Sequence, residues 1–219
     1  MSITVIIIII TCLVSFGGFG NQKLINDLIF YPPAVTQKKQ WYRFFTCGLI
    51  HADIGHLIFN MLALYLFGDV VEKNFHALFG EKGKVLYLLL YILALLFCLL
   101  PTFSKHKNDY YYRSLGASGA VSAVIFASIL FNPLVGIGLF FIPVYIAGFI
   151  FGILYLVISS WLDKKGGGNV NHSAHIFGAL FGILFTLIAC NVFSDYPVLK
   201  NFIDQIINAD LKQIIQFGS

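Results

Sequence analysis

The chain has 219 residues, of which 58% are hydrophobic and 11% are charged. The core of one soluble domain cannot bury that much apolar surface, so the composition excludes an ordinary soluble protein. The net charge is +4, and the basic residues are scattered through loops rather than clustered with aromatic residues, which argues against a nucleic-acid-binding protein. The four cysteines stand singly without a CxxC spacing, so neither a zinc knuckle nor a disulfide framework is predicted.

Apolar runs recur along the chain at lengths that suit a bilayer. A helix needs roughly 20 apolar residues to cross the hydrocarbon core. Six stretches qualify, at residues 3–19, 56–71, 83–101, 114–131, 134–160 and 173–192. The first has no basic n-region and no small-residue cleavage site, so we interpret it as a helix rather than a signal peptide. The sequence predicts an all-α, polytopic membrane domain of six helices over residues 1–192.

Three connecting segments are polar or amphipathic. Residues 21–52 contain Pro32 and Pro33 together with many aromatic rings, which predicts a loop at the membrane interface. Asn132 and Pro133 predict a tight turn between the fourth and fifth spans. Apolar residues return at near-helical spacing within 193–219, which predicts a C-terminal amphipathic helix, with a loosely ordered tail as the alternative.

The distribution of Lys and Arg bears on membrane orientation. Six spans with the N-terminus inside leave nine basic residues in outer loops: Lys23, Lys38, Lys39, Arg43, Lys105, Lys107, Arg113, Lys164 and Lys165. The inner loops then hold five: Lys73, Lys82, Lys84, Lys200 and Lys212. Taken alone, this count favours the inverted topology, because cytoplasmic loops normally carry the excess of positive charge.

A few polar residues lie within or beside the spans, where each is a candidate for function. His56 and Asn60 are four residues apart and therefore share one face of the second helix, with His51 just before it. The fourth span begins with GASG, which contains Ser118. In the sixth span, His175 lies at the head of a stripe of small residues.

Those small residues suggest close helix contact. Gly178 and Gly182 follow His175 at i+3 and i+7, and Gly116, Gly119 and Ala120 surround Ser118. Helices that touch through such faces would bring the serine oxygen and an imidazole nitrogen within hydrogen-bonding reach, as nucleophile activation requires. His56, Asn60 and the Ser118 amide would then donate hydrogen bonds to an oxyanion. The alternatives are that the small residues serve only packing and that Asn60 and the histidines join helices.

The combination of motifs is more specific than its parts. RFFTCGLIHADIGHLIFNM, FGDVVEK, GASGAVSA, SSWLD and HSAHIFGALFG occur in this order. With these segments the chain resembles the rhomboid family of intramembrane serine proteases. The resemblance implies a six-helix core in which a short fourth helix starts at the bottom of a water-filled cavity. It also implies transmembrane protein substrates, a bilayer environment, both termini in the cytoplasm of a bacterium, and an active site in the inner membrane that opens outward.

The resemblance also implies roles for individual residues. Ser118 would be the nucleophile and His175 the general base, while His56 and Asn60 would help to bind the oxyanion. Further positions match the family in supporting roles, with Glu72 tying the first loop to the second helix; these are His51, Arg43, Glu72, Gly116, Gly119 and Gly178. No metal and no cofactor is expected, and no HExxH motif occurs.

The chain departs from the family at three points. The family usually has a tyrosine four residues after the nucleophile, stacked on the catalytic histidine, where this chain has Ser122. Another ring, such as Tyr111, Tyr112 or Phe126, is expected to substitute for it. The first loop has Trp41, Tyr42 and Arg43 in place of a Trp-Arg pair, and Cys47 stands where the bacterial branch often has His or Ser.

The leading hypothesis is therefore a serine endopeptidase that cleaves single-span membrane proteins with a Ser-His dyad. A catalytically silent relative that binds membrane clients is the main alternative, and loss of the serine or histidine is its usual sign. A small transporter is a third hypothesis. It would require acidic residues or charge pairs within the spans to couple the movement of ions.

Overall fold

The computed structural model describes residues 2–138, 144–166, 168 and 170–217. The main helices are α1 (Ile3–Phe19), α5 (Ile54–Phe79), α6 (Lys82–Phe97), α7 (Leu100–His106), α8 (Ser118–Phe131), α9 (Gly148–Lys165) and α10 (His172–Phe193). Shorter ones are α2 (Gln22–Leu28), α3 (Pro32–Lys38), α4 (Arg43–Thr46), α11 (Val198–Ile207) and α12 (Leu211–Ile214), with a 3₁₀ turn at Cys47–Leu49. Three short strands are β1 (Gly136–Gly138), β2 (Val144–Ala147) and β3 (Ile215–Phe217).

The prediction of an all-α polytopic bundle is confirmed. Among the described residues, three helical stretches are long and apolar enough to cross a membrane: Ile54–Phe79, Lys82–His106 and His172–Phe193. The helices Ile3–Phe19 and Ser118–Phe131 are apolar but shorter. Large apolar side chains face outward along these helices, for example Leu13, Ile58 and Leu184. A bilayer is the solvent in which such a surface is stable.

Helix α8 is the centre of the bundle. Every residue from Gly119 to Phe131 is buried, and α5, α6, α9 and α10 pack around it. Its 14 residues span about 21 Å at 1.5 Å per residue, which is shorter than a hydrocarbon core of about 30 Å. Gly119, the second residue of α8, contacts Gly178, the seventh residue of α10, so α8 begins below the level at which α10 begins.

Small residues allow α8 and α10 to touch through their backbones. A Cβ atom added at Gly178 would collide with the carbonyl oxygen of Gly119, and one added at Gly182 would collide with that of Ala123. The predicted stripe on α10 therefore does face α8. Gly116 has a different neighbour, because its φ of 110° and the His56 ring, 2.7 Å from where a Cβ would lie, leave space only for glycine.

The first loop folds into a small core of its own. Phe30, Val35 and Phe44 are completely buried and pack with Cys98 and Leu99 near the end of α6. Trp41 and Tyr42 remain about half exposed at its surface. The segment is therefore a compact support on the bundle, with some aromatic rings outside.

The prediction of a fifth span over residues 134–160 was wrong at its N-terminal end. Gly136–Gly138 and Val144–Ala147 form antiparallel strands, so α9 begins only at Gly148, and the two-residue turn at Asn132 and Pro133 does not lead directly into it. The amino-acid sequence provides the physical reason. β-Branched residues alternate with other residues at a period of two, namely Val135 and Ile137 and then Val144 and Ile146. The glycines in this stretch also disfavour a helix. Residues 139–143 lie outside the described part of the chain.

The C-terminal segment contains the predicted amphipathic helix. In α11, Val198 is buried while Leu199, Ile203 and Ile207 are exposed, and Gln205 reaches the Phe131 carbonyl at 3.5 Å. After α12 the chain forms β3, which pairs antiparallel with β2 through Val144↔Phe217 and Ile146↔Ile215. The tail therefore joins the sheet at the end of α8 opposite Ser118.

Glu72 does not make the contact that was expected of it. Its carboxylate accepts hydrogen bonds from the N-terminus of α1: the Ser2 hydroxyl at 2.6 Å, the Ile3 amide at 2.7 Å, and the Thr4 hydroxyl and amide at 2.9 and 3.1 Å. The prediction that it ties the first loop to the second helix was therefore wrong. Orphan N–H donors at a helix start attract a carboxylate, and α1 provides them beside this end of α5.

Candidate active site

Ser118 and His175 meet at the top of the α8–α10 contact. The Ser118 Oγ and the His175 Nε2 atoms are 2.8 Å apart, which is hydrogen-bond distance. The glycine contacts below them set this spacing, because they hold the two backbones close together. Both side chains are partly buried, so the pair is shielded by neighbouring residues but is not completely inaccessible.

The start of α8 leaves hydrogen-bond donors at the site. Ser118 is the first residue of the helix, and the preceding Ala117 provides no side-chain cap. The first N–H groups of a helix have no acceptor within it, and they carry the positive end of the helix dipole. The backbone around Ser118 is thus suited to a negatively charged oxygen.

The segment before Ser118 is held by the first loop at three points. Phe30 and Ser114 exchange backbone hydrogen bonds of 3.0 and 3.1 Å in an antiparallel bridge. The Gly116 amide donates to the Cys47 carbonyl at 2.9 Å, and the Ala117 amide donates to Nε2 of His51 at 3.4 Å. These contacts fix the direction from which the chain enters α8.

The hydrogen bonds of His51 define its tautomer. The single Ser15 hydroxyl proton goes to the Leu49 carbonyl at 2.9 Å, so the Ser15 oxygen must accept from Nδ1 of His51 at 3.0 Å. Nε2 is then unprotonated and accepts the Ala117 amide, and we assign a neutral ring on this network. Burial, and then the nearby His56, lower the pKa of His51 to about 4, which keeps the ring neutral at pH 7. His51 therefore joins α1 to the residue before Ser118.

His56 and Asn60 lie on the α5 face that looks toward Ser118. The His56 ring packs edge-on against His51, with ring centroids 4.9 Å apart, and it lies against Gly116. Asn60 is 4% exposed and donates one amide hydrogen to the His56 carbonyl at 2.9 Å, which leaves a second amide hydrogen. Within the described residues neither side chain bonds directly to Ser118 or His175.

The remaining predicted residues lie outside the immediate site or behind it. Arg43 is 6% exposed and donates to the Asn26 and Ile29 carbonyls at 2.9 and 2.7 Å, so it holds the first loop. Gly119 has the Cys98 sulfur 2.5 Å from where a Cβ would lie, which allows no larger residue. Gly178 lies in the α8–α10 contact.

A cavity of about 1570 Å³ opens over this arrangement. It is larger than pockets for small molecules, which measure about 300–1,000 Å³. Six of its lining residues belong to the candidate active site or lie next to it: His56, Asn60, Ser118, Gly119, Tyr155 and His175. From there it continues along apolar residues of α5 and α9, among them Phe59, Leu66 and Phe151. Its lining suits a mainly apolar chain with one polar end.

Sequence reasoning missed Tyr155 on α9. Its ring lies 6.1 Å from the His175 ring, centroid to centroid, at an interplanar angle of 25°. The expected substitutes lie elsewhere: Tyr111 is 96% exposed and Tyr112 stacks on His106 at 3.9 Å. Phe126 packs against Tyr155, with centroids 5.6 Å apart. Another ring does lie beside His175, as expected, but it is Tyr155 and not one of the three rings named as examples.

No group of three or more His, Cys, Asp or Glu side chains within the described ranges is arranged to hold a metal ion. The cysteines found buried, Cys47, Cys98 and Cys190, are free thiols. The site itself contains a serine, histidines, amide groups and the start of a helix.

These features define an integral, multi-pass helical membrane protein with a serine-histidine pair in a cavity between its helices. The sequence model of the Rhomboid domain matches residues 38–192, more than half of the chain. The chain belongs to the rhomboid family.

Individual relatives support the same family. RHOMBOID-like protein 12, mitochondrial, of Arabidopsis thaliana is 32% identical over 149 residues, which cover 61% of this chain and 42% of that protein. YdcA of Bacillus subtilis is 29% identical over 153 residues, covering 68% of this chain and 67% of YdcA. Rhomboid protease GlpG of Haemophilus influenzae is 25% identical over 171 residues, covering 77% of this chain and 80% of GlpG. The chain thus spans less than half of the Arabidopsis relative.

Proposed function

We propose that this protein is an intramembrane serine endopeptidase, with Ser118 as nucleophile and His175 as general base. The observation that carries the proposal is the 2.8 Å hydrogen bond between Ser118 Oγ and His175 Nε2 from two separate helices beside a cavity. A serine is a weak nucleophile unless an adjacent base takes its proton. Family membership, which includes a relative named as a protease, supports the same reading.

In the proposed reaction, the Ser118 hydroxyl proton passes to His175 Nε2 as Oγ attacks the carbonyl carbon of the scissile peptide bond. His175 then gives that proton to the leaving amine, and a water molecule hydrolyses the acyl-enzyme by the same route. A positioned general base contributes typically about 10²–10⁴-fold to such a reaction. No metal or cofactor takes part in these steps.

The negative charge that develops on the carbonyl oxygen needs hydrogen-bond donors. We assign this role to the His56 side chain, the free amide hydrogen of Asn60 and the Ser118 backbone amide, which border the same cavity. One such donor is worth roughly 10²–10³-fold in turnover. Without donors, a buried oxyanion in hydrocarbon would cost many kcal/mol.

The substrates proposed are single-span membrane proteins. The cavity joins a polar end, where Ser118 lies, to an apolar groove between α5 and α9. A peptide bond can reach Ser118 only where the substrate helix unwinds, because a continuous helix uses its carbonyls internally. Substrate segments with small or helix-breaking residues are therefore expected to be cleaved first.

The proposal is tested with purified protein in liposomes and a single-span model substrate. Ser118→Ala and His175→Ala should each abolish cleavage and labelling by a fluorophosphonate probe, because each removes one half of the pair. Ser128→Ala is the matched control, since Ser128 is another buried serine of α8 and should leave both signals intact. Cleavage by Ser118→Ala would refute the assignment. A folded wild type that neither cleaves nor labels would favour the alternative, a silent relative that binds membrane clients.

We further propose that the protein resides in a bacterial inner membrane with both termini in the cytoplasm and the cavity facing outward. The proposal rests on the resemblance to the bacterial branch of the family. The distribution of basic residues argues against it, and a topology experiment decides between the two.

A further inference from the structure

The His175 ring has few hydrogen bonds to orient it. Nε2 bonds to Ser118, and within the described residues Nδ1 has no hydrogen-bond partner. In many serine hydrolases a carboxylate on the second nitrogen holds the ring in place. Here orientation must come from the surfaces of neighbouring side chains.

Two rings from the described part of the chain pack against His175. Tyr155 lies nearly parallel to it, and His172 meets it edge-on at 5.7 Å with an interplanar angle of 83°. Tyr155 is in turn flanked by Phe126 and Phe151, with centroids 5.6 and 5.9 Å away. The tyrosine ring is therefore held by its own neighbours and can act as a fixed wall.

The hydroxyl group of Tyr155 is also anchored. Ser122 Oγ lies 2.8 Å from the Ser118 carbonyl oxygen and 2.6 Å from Tyr155 Oη. A carbonyl can only accept, so the one Ser122 proton goes to Ser118 and the Tyr155 hydroxyl donates to Ser122. A chain of two hydrogen bonds thus runs from α9 to the backbone of Ser118.

We infer that Tyr155 is a positioning residue for His175, supplied by α9 and anchored through Ser122 to the residue that carries the nucleophile. The inference rests on the proposed function. The family usually has a tyrosine at the position of Ser122, and a serine there leaves room for a ring from α9. Ser122 and Tyr155 therefore act together to position the His175 ring.

A consequence concerns α9 as a whole. Tyr155 borders the cavity, and α9 forms one wall of its apolar groove. A displacement of α9 that widens the groove also withdraws the ring from His175 and breaks the bond to Ser122. The packing of α9 against α8 therefore sets the orientation of His175.

The experiment compares turnover of the single-span substrate by variants in liposomes. Tyr155→Leu should lower kcat roughly 10–100-fold with little change in KM, because a misplaced base slows chemistry rather than binding. Tyr155→Phe keeps the ring and should lose only a few-fold. Phe149→Leu is the control, since it removes a ring from α9 that does not line the cavity.

A rescue variant separates positioning from general packing. Tyr155→Leu with Ser122→Tyr moves the ring from α9 to α8, and it should recover a large part of the lost kcat. Gel filtration in detergent verifies folding, and Tyr155→Phe remains informative if Tyr155→Leu does not fold. An active wild type whose kcat is unchanged in Tyr155→Leu overturns the inference alone. An inactive wild type overturns the proposed function and this inference with it.

Discussion

At the scale of single residues, the site depends on side chains whose spacing in sequence reveals them to different degrees. His56 and Asn60 are four residues apart, so helical periodicity alone puts them on one face. Tyr155 is 33 residues from Ser122 and on another helix. No local pattern connects such residues, and only the packing of α9 against α8 brings them together.

Glu72 shows the same limit for a charged residue. A carboxylate at the end of a predicted span indicates that it has a partner, but not which partner. Its identity depended on where the N-terminus of α1 lies, and the apolar run at 3–19 contains no information on that. The four hydrogen bonds that Glu72 accepts make it a cap for a neighbouring helix.

Removing this cap should destabilise the protein. Glu72→Ala leaves the amides of Ile3 and Thr4 without an acceptor, which should lower the free energy of unfolding by about 1–3 kcal/mol. Glu72→Gln should lose less, because its amide oxygen still accepts. Thermal unfolding in detergent measures the effect. Glu81→Ala is the control: its pair with Lys84 is exposed, so the change should be within about 0.5 kcal/mol. Equal melting temperatures for both alanine variants would contradict the cap.

At the scale of helices and strands, long apolar runs were predictable and their interruptions were not. The run at 173–192 corresponds to α10 within two residues at either end. The run at 134–160 is just as apolar, yet it divides into strands and a helix. Hydrophobicity does not distinguish a buried strand from a buried helix. In this run the glycines and β-branched residues indicate strands more reliably than the length of the run indicates a helix.

The α8–α10 contact makes a prediction at this scale. In Gly178→Ala the new methyl group would meet the Gly119 carbonyl, so the two helices must separate. Overpacking of this kind costs about 1–3 kcal/mol, and a shift near 1 Å between Ser118 and His175 should reduce cleavage about 10²-fold.

The matched control for this variant is Gly17→Ala. A Cβ at Gly17 would have Leu24 at an ordinary 3.6 Å, so that variant should keep its activity. Substrate cleavage and melting temperature are measured for both. Wild-type turnover in Gly178→Ala would show that the glycine contact does not set the dyad distance.

At the scale of the whole molecule, the fold class followed from composition, whereas sidedness does not follow from the helices. The positive-inside count and the family resemblance point in opposite directions. Much of the disputed charge is in the first loop, and Arg43 there is buried against backbone carbonyls. A basic residue whose charge is bound to backbone carbonyls is a poor indicator of topology. The count of basic residues is therefore weaker evidence for the inverted orientation.

A reporter fused after Ser219 tests the orientation. If the C-terminus is cytoplasmic, green fluorescent protein should be bright and periplasmic alkaline phosphatase inactive in bacterial cells. The same two fusions after residue 107, in the loop that follows α7, should give the reverse pattern. Alkaline phosphatase activity at the C-terminal position would show that the cavity faces the cytoplasm.

The wide separation of Ser118 and His175 along the chain also governs when activity can first arise during biosynthesis. His175 follows Ser118 by 57 residues, which a ribosome adds in roughly 3–11 s at about 5–20 residues per second. Under the proposed function, Ser118 has no general base throughout that interval. The nascent protein would therefore be unable to cleave a membrane helix until His175 has been added.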